Sequence, residues 1–373
     1  MKSWLNKLFA RDLNADTQAQ LANLLDGVVD EFSGQSLNDW LVDARQGVLG
    51  LSLVFEVPYP AKSLWPHWQQ QIVTKAQAAG LTVSQVDFVL KVVARQTQGN
   101  IDPISGVTNI IAVGSGKGGV GKSTTSANLA LALAAEGAKV GVLDADIYGP
   151  SMPTVFGLVG KMPHSVDGKT MEPLVAYEVK VNSIGFLVEP DSPMIWRGPV
   201  VTGSLMQLLN ETNWGSLDYL IVDLPPGTGD TQLTMAQKIP VAGAVIVTTP
   251  QDLAMIDARK GLKMFEKVNI PVLGIVENMA LHVCSQCGHV EPIFGEGGGA
   301  KMAHDFNVKL LASLPLTMSI RVQADSGKPT MVAEPEGEIA QHYRQLAHKV
   351  GAALAQRPQS FANKFGKIEV KAL

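Results

Sequence analysis

The sequence predicts an α/β protein in which a small α+β domain precedes a doubly wound, mostly parallel sheet. Beyond residue 107, short apolar runs rich in β-branched residues alternate with helical stretches. Runs this apolar, separated by helices, are typical of parallel strands buried on both faces. Before residue 97 the elements follow a different order, and a segment rich in Gly, Asn, Pro and Ser separates the two regions. These observations predict two domains and a linker.

The small α+β domain is predicted over residues 1–97, and the linker over residues 98–107. Within the domain, apolar periodicity predicts four elements. They are a helix near residues 16–32, a strand within 48–57, a helix that follows Pro60 and runs through Ala79, and an apolar strand over 86–93.

The larger domain is predicted over residues 108–358, followed by a tail at 359–373. An amphipathic pattern predicts a terminal helix at 336–355. The apolar runs predict parallel strands at 109–113, 139–143, 219–222, 244–248, 271–276 and 309–314.

Composition argues against several classes of protein. The formal net charge of −4 gives the 373-residue chain no global attraction to nucleic acid or to an anionic membrane. The first residues carry charges and lack the apolar run of a secretory signal. The most apolar stretch, residues 241–249, is far shorter than the roughly 20 residues that span a bilayer. We expect a cytoplasmic protein without a membrane span or a nucleic-acid partner.

A glycine-rich phosphate loop is the strongest motif in the chain. Residues 116–123 (GKGGVGKS) fit the P-loop pattern, follow the apolar strand at 110–113 and enter an Ala/Leu-rich helix over 124–135. Backbone N–H groups in such a loop cradle phosphate, and the helix N-terminus adds partial positive charge. We expect Lys122 to reach the β- and γ-phosphates of ATP and the Ser123 hydroxyl to bind Mg²⁺. The predicted nucleotide-binding residues of the loop are Gly114, Ser115, Gly116, Lys117, Gly118, Gly119, Val120, Gly121, Lys122, Ser123 and Thr124.

Acidic residues follow two of the predicted strands. Asp144 and Asp146 come after the strand ending at residue 143, and Asp223 follows the strand ending at 222. The carboxyl ends of strands line the ligand crevice of an open α/β sheet. Asp223 is in the position of a Walker-B aspartate and would hold Mg²⁺ directly or through water, and the Pro/Gly-rich turn after it suits a switch segment. Either residue of the first pair could instead cap the following segment.

The extra lysine of the loop, Lys117, resembles the deviant Walker A signature of the MinD/ParA/nitrogenase-iron-protein class. The resemblance implies that Lys117 reaches the nucleotide of a partner subunit, which would tie hydrolysis to dimer formation. It also implies that Asp146 orients the attacking water, that Asp144 lies nearer the metal, and that Asn278 contacts adenine. The alternatives are a solvated loop lysine and a turn-forming asparagine.

The only two cysteines, Cys284 and Cys287, form one C-x-x-C followed by glycine. A disulfide scaffold is therefore excluded, and two thiolates are half of a metal site. Three completions are open: a zinc site with His282 and His289, a redox dithiol, or a cluster shared by two chains with two cysteines each. The pair is not in a strand-to-helix redox context, and histidines in a loop are more often surface residues than ligands.

Taken together, the motifs resemble the Mrp/ApbC-like iron–sulfur cluster carrier family over about residues 107–350. The shared motifs, in order, are GSGKGGVGKSTTSANLA, DADIYGPSMP, MIWRGPV, YLIVDLPPGTGD, TTPQDLAMIDARKG, ENM and C-x-x-C followed by IFGEGGG. The resemblance implies an ATPase homodimer that holds a [4Fe–4S] cluster between the Cys284/Cys287 pairs of two subunits. It also implies transfer of the cluster to apo-proteins and contact with the cluster assembly machinery. The first domain lies where many family members carry a small domain related to iron–sulfur assembly factors. It has no cysteine and cannot hold a cluster through thiolates, so we expect a partner-binding or regulatory domain.

Two other functions are compatible with parts of the pattern. A spatial-regulation ATPase like MinD or ParA would cycle on membrane or DNA and would need a basic amphipathic helix, for which residues 361–368 are a weak candidate. It leaves the cysteine pair unexplained. A reductase like the nitrogenase iron protein places its cysteines singly on separate segments, whereas one C-x-x-C loop suits a cluster that must leave.

Overall fold

The structure is a computed structural model that describes residues 11–99, 101–188, 198–284 and 286–360. Residues 194–197 of the MIWRGPV motif lie outside the described residues, and so do residues 361–373 of the predicted tail. The described chain divides into two compact units. The first contains the residues up to Val92 and the segment Gly351–Gln356, and the second contains Val93–Val350 and the residues from Arg357 onward.

The first unit is a four-stranded sheet with two helices. Its strands lie in the order β1 (Arg11–Asp12), β2 (Leu41–Gly47), β3 (Gly50–Val57) and β4 (Val83–Leu90). Its helices are α1 (Ala15–Asp26) and α2 (Trp65–Ala78), with short 3₁₀ turns at Leu37–Trp40 and Lys62–Leu64. Alternate residues of β3 point into the core, where Phe55 is fully buried and stacks on Phe88 of β4.

Helix α1 is shorter than expected, and strands β1 and β2 were not predicted. Helix α1 ends at Asp26, because the Gly27 N–H bonds to the carbonyls of Leu24 and Leu25 and closes the last turn. Strand β2 was not predicted, since its sequence LVDARQG has no apolar alternation and most of its side chains are partly or fully exposed.

The second unit contains an eight-stranded sheet in the order β14-β11-β10-β5-β9-β6-β8-β7, in which every pair is parallel except β7–β8. Its strands are β5 (Val107–Ser115), β6 (Val140–Asp144), β7 (Leu174–Ala176), β8 (Val179–Ser183), β9 (Leu217–Asp223), β10 (Gly243–Thr248), β11 (Val272–Glu277) and β14 (Leu310–Ser313). A separate hairpin joins β12 (His282–Val283) to β13 (Val290–Glu291). The doubly wound, mostly parallel sheet is therefore confirmed.

Helices connect the parallel strands. They are α3 (Lys122–Ala135), α4 (Met152–Val155), α5 (Gly198–Glu211), α6 (Asp230–Lys238), α7 (Asp252–Lys267), α8 (Gly298–Asp305), α9 (Met318–Asp325), α10 (Thr330–Ala333) and α11 (Glu338–Ala355), with a 3₁₀ turn at Ile184–Phe186. Within the described part of the chain, none of the helices combines the length and apolar character that crossing a bilayer requires.

The segment expected to be a linker packs on the second unit. The amide of buried Gln98 donates to the carbonyls of Ala236 and Ile239, and its oxygen accepts from the Val241 N–H. These bonds satisfy backbone groups at the end of α6 and just before β10, and the compact second unit includes the residues from Val93 onward.

Candidate functional site

The phosphate loop lies between β5 and α3, where the sequence placed it. Helix α3 begins at Lys122, and Gly121 before it has φ +83°, a left-handed conformation that favours glycine. A Cβ at Gly121 would also lie 2.2 Å from Nδ2 of Asn278. The N-terminus of α3 therefore points its free N–H groups into the loop, as phosphate binding requires.

A buried ion pair connects the loop to the end of β9. Lys122 Nζ lies 2.7 Å from Asp223 Oδ2, and both side chains are almost completely buried. Ser123 Oγ donates to the same oxygen at 2.6 Å, and Ser126 Oγ donates to Oδ1 at 2.6 Å. Three residues of α3 thus surround one carboxylate.

Strand register explains why these residues meet. Val113 of β5 pairs with Asp223 of β9, and Asp223 in turn pairs with Asp144 of β6. The carboxyl ends of parallel strands form one edge of the sheet, so both aspartates reach the loop that leaves β5. The Gly227 N–H bonds to the Ser115 carbonyl, which holds the Pro/Gly-rich turn against the loop.

Asp144 is saturated by hydrogen bonds from the protein. Its Oδ2 accepts from the N–H groups of Ser151 and Met152 and from Ser183 Oγ, all at 3.0 Å. Its Oδ1 accepts from the Asp146 N–H at 3.2 Å. Burial, together with the nearby Asp223 charge, raises the pKa of Asp144 to about 7. This geometry suits a carboxyl that shapes the following loop, and its predicted place near the metal stays a prediction.

Asp146 faces the same cluster with fewer bonds. Its Oδ2 lies 3.9 Å from Lys122 Nζ, and the residue is 9% exposed. Burial raises the pKa of Asp146, an effect that the Lys122 charge opposes and the Asp223 charge reinforces. A carboxylate at the edge of the cluster can accept a hydrogen bond from water, which is the role expected of it.

Lys117 extends from the loop without a partner in the described part of the chain. Its backbone carbonyl accepts from Ser115 Oγ at 2.9 Å, which fixes the turn, while its half-buried side chain makes no hydrogen bond or ion pair among the described residues. A lysine held in this way has its ammonium available for an anion.

Asn278 lies against the phosphate loop. Its Nδ2 donates to the Val120 carbonyl at 2.9 Å, and its backbone N–H bonds to the carbonyl of Thr248 at 2.7 Å. Because the carbonyl of Val120 can only accept, the amide nitrogen must face the loop and Oδ1 must face away from that bond. The contact of Asn278 with adenine stays a prediction.

The two cysteines lie together in the loop between β12 and β13. The Cys284 N–H bonds to the His289 carbonyl, and the Gly288 N–H bonds to the Cys284 carbonyl, each at 2.9 Å. The backbone N–H groups of Cys287 and Gln286, and then the Cys287 thiol, lower the pKa of Cys284. Cys284 is half-buried and Cys287 is exposed. The pair is therefore accessible, and the lowered pKa favours the thiolate of Cys284.

The flanking histidines do not complete a metal site among the described residues of one chain. Nδ1 of His282 lies 3.0 Å from the Leu316 carbonyl, which leaves only Nε2 of that ring for a metal. Within residues 11–99, 101–188, 198–284 and 286–360, no group of three or more His, Cys, Asp or Glu side chains could hold a metal ion. Cys284 and Cys287 therefore form half of a metal site in the described part of the chain.

Three residues at these sites were missed from the sequence. Ser126 follows Lys122 by one helical turn, so helical spacing could have identified it. Ser183 gave no signal, because it ends a strand that was not predicted. Glu277, the last residue of β11, is 4% exposed and accepts from the Gly299 N–H at 2.7 Å.

The oxygen donors suit a hard divalent cation. Ser123 Oγ and the Asp223 carboxylate are adjacent and lie at the foot of the phosphate loop, and Mg²⁺ is typically bound by one or two such groups together with substrate phosphates. The residues present therefore fit Mg²⁺, and when bound it would neutralise charge on the phosphates.

Comparison with known proteins gives consistent matches. The family model of NUBPL iron-transfer P-loop NTPases, of the ParA group, matches residues 106–351. The iron-sulfur cluster carrier protein of Pseudomonas fragi is 58% identical over 276 residues, which are 74% of this chain and 96% of that protein. The iron-sulfur cluster carrier protein of Haemophilus influenzae is 48% identical over 357 residues, covering 93% and 94%.

A solved structure is also similar to this chain. The nucleotide-binding protein of Archaeoglobus fulgidus, determined in complex with ADP, is 40% identical and superimposes with a TM-score of 0.56. The match covers 64% of this chain and 92% of that protein.

Proposed function

This chain belongs to the family of NUBPL iron-transfer P-loop NTPases, and we propose that it is an ATP-dependent iron–sulfur cluster carrier. The observation that carries the proposal is the pairing of Cys284 and Cys287, for which the described residues offer no third ligand, in a chain that also has a complete phosphate loop. The names of the relatives at 58% and 48% identity support the same function.

The cluster is the cargo, held at the interface of a homodimer. Two chains supply four thiolates, the number that a [4Fe–4S] cluster takes. Recipient thiolates then replace those of the carrier one by one, so that the cluster moves to the apo-protein without net oxidation or reduction. A half-exposed pair on a short hairpin favours such exchange.

ATP is bound and hydrolysed at the phosphate loop, which is separate from the cysteine pair. Lys122 and the N–H groups of the loop bind the phosphates, and Asp146 orients the water that attacks the γ-phosphorus as the bond to the β–γ bridging oxygen breaks. Ser123 and Asp223 would hold Mg²⁺. Lys117 reaches across the dimer to the partner's nucleotide, so that hydrolysis and cluster binding both require two chains.

The test is an anaerobic measurement of iron, sulfide and zinc in the full chain, purified without reconstitution. We expect about four irons and four sulfides per dimer with visible charge-transfer absorbance, lost in Cys284→Ser and Cys287→Ser. His282→Ala and His289→Ala are the matched controls and should keep the cluster. One zinc per chain without the chromophore would sink the carrier proposal.

Transfer is measured separately, as recovery of activity in an apo-enzyme that needs a [4Fe–4S] cluster. The competing function, spatial regulation on membrane or DNA, predicts instead that binding to anionic vesicles or DNA depends on ATP. Spatial regulation on membrane or DNA would leave Cys284 and Cys287 without a role.

A further inference from the structure

The cysteine loop, residues 278–298, leaves the sheet and returns to it at one buried carboxylate. The loop starts directly after Glu277, and its far end enters α8, where the Gly299 N–H donates to Glu277 Oε1 at 2.7 Å. Glu277 Oε2 accepts from Ser313 Oγ at 3.3 Å. One side chain thus closes the base of the loop.

Close packing at this base depends on glycine. A Cβ at Gly299 would lie 2.8 Å from Glu277 Cβ, a distance that real Cβ atoms essentially never show. The bond from the first turn of α8 to the carboxylate is charge-assisted and lies in a buried site, where such bonds are strong.

The same base touches the phosphate loop. Asn278, the next residue along the chain, donates to the Val120 carbonyl at 2.9 Å and has its backbone bonded to Thr248. A movement of the peptide between Val120 and Gly121 must therefore move Asn278 or break that bond.

Between Asn278 and the cysteines, the chain is held by hydrogen bonds to Leu314 and Leu316. The Ala280 N–H bonds to the Leu314 carbonyl, the Leu316 N–H bonds to the Leu281 carbonyl, and His282 bonds to Leu316. Met279 has φ +58°, which turns the chain between Asn278 and this ladder. Cys284 follows two residues after His282.

We propose that Glu277 is a positioning residue that holds the base of the cysteine loop closed, so that nucleotide bound at the phosphate loop changes the cysteine loop through Asn278. The base of the cysteine loop has two states. In one, the hydrogen bond from the Gly299 N–H to Glu277 is formed, and in the other it is broken. Nucleotide biases them through the Asn278–Val120 contact. The consequence for a bound cluster rests on the proposed function, whereas the coupling itself does not.

Hydrogen exchange in the full chain tests the coupling without a cluster, with Mg·ADP or a non-hydrolysable ATP analogue as the probe. In the wild type, nucleotide should slow exchange over residues 279–299. Glu277→Ala should speed exchange of the Gly299 amide about tenfold or more and abolish the nucleotide-dependent slowing, while nucleotide affinity falls by no more than the factor by which nucleotide slows this exchange in the wild type. Glu277→Gln should restore both, because its amide oxygen still accepts from Gly299.

A second variant opens the base from the opposite side. Gly299→Ala should reproduce the effect of Glu277→Ala with the carboxylate intact. Gly203→Ala is its matched control, since a Cβ there meets nothing within 4 Å. The proposal is overturned if wild-type exchange in the loop ignores nucleotide, or if Glu277→Ala and Gly299→Ala keep the wild-type response.

Iron loss from reconstituted protein to a ferrous chelator extends the test to the cargo. The ratio of rates with and without nucleotide should differ from one in the wild type and return to one in Glu277→Ala. Absence of any cluster in the wild type would contradict the proposed function, while the exchange experiment would still decide the role of Glu277.

Discussion

Lys122 Nζ lies 2.7 Å from Oδ2 of Asp223, so a buried ion pair joins the phosphate loop to the end of β9. The pair brings together residues from α3 and β9 that are far apart in the sequence, and it places the only loop lysine that is nearly completely buried at the foot of the phosphate site.

Replacing Lys122 by Ala should lower ATP turnover about 10²- to 10³-fold, because the change removes a preorganised charge at the phosphates. Phosphate release by the purified chain measures the effect. Lys260→Ala is the matched control, since Lys260 is an exposed lysine in a surface ion pair with Asp257 and should behave as wild type. Turnover close to the wild-type rate in Lys122→Ala would contradict the assignment.

Lys117→Ala should keep nucleotide binding by its own loop but lose turnover, because we propose that this side chain serves the partner's nucleotide. Binding is followed by titration with a fluorescent ATP analogue, and turnover by phosphate release.

A mixing experiment separates this role from a local one. In a mixture of Lys117→Ala and Lys122→Ala chains, each mixed dimer has one complete site, so activity should return to about a quarter of the wild-type rate. A local role for Lys117 predicts no recovery at any mixing ratio.

Asp146→Asn should lower turnover about 10²- to 10⁴-fold while ATP still binds, since the amide cannot take the place of a carboxylate that orients water. Because burial raises the pKa of Asp146, wild-type turnover should fall on acidification at a pH above the ordinary range of aspartate. A pH–rate profile shows this limb, and an unchanged acid limb in the residual activity of Asp146→Asn would assign it to another group.

Asp144 should make stability depend on pH. Its pKa of about 7 lies above the ordinary value of 3.8, so the folded chain keeps a proton that the unfolded chain has lost. Stability should therefore fall as the pH rises from about 4 to about 7, by at most about 1.4 kcal/mol per pH unit, and Asp144→Asn should lack this slope. Urea unfolding at several pH values measures it. Asp167→Asn is the control, because the backbone N–H groups of Thr170 and Lys169 hold the pKa of that exposed carboxyl at about 2, below this interval.

Asn278→Ala should weaken the preference for ATP over GTP about tenfold, because its oxygen would accept from the amino group of adenine and repel the carbonyl of guanine. Competition binding of the two nucleotides measures the preference. An equal loss of affinity for both would instead assign Asn278 to support of the phosphate loop through Val120.

Most central strands were predictable because burial on both faces makes them apolar throughout. Strands β5, β9, β10 and β11 lie within a few residues of their expected positions. The edge pair β7 and β8 was missed, since its stretch LVAYEVKVNS mixes Glu, Lys and Asn with the apolar residues.

Features that depend on neighbouring residues could be predicted from the order of the amino acids. The phosphate loop between β5 and α3 follows from glycine spacing, and the half-site at Cys284 and Cys287 follows from two cysteines three positions apart. Contacts between distant groups could not be predicted in this way and are seen in the folded chain: Asp223 with Lys122 and Ser126, Val120 with Asn278, and Gly299 with Glu277. The reason is that strand order places β5 between β9 and β10, and this order arises from long-range packing of apolar faces that no local pattern records.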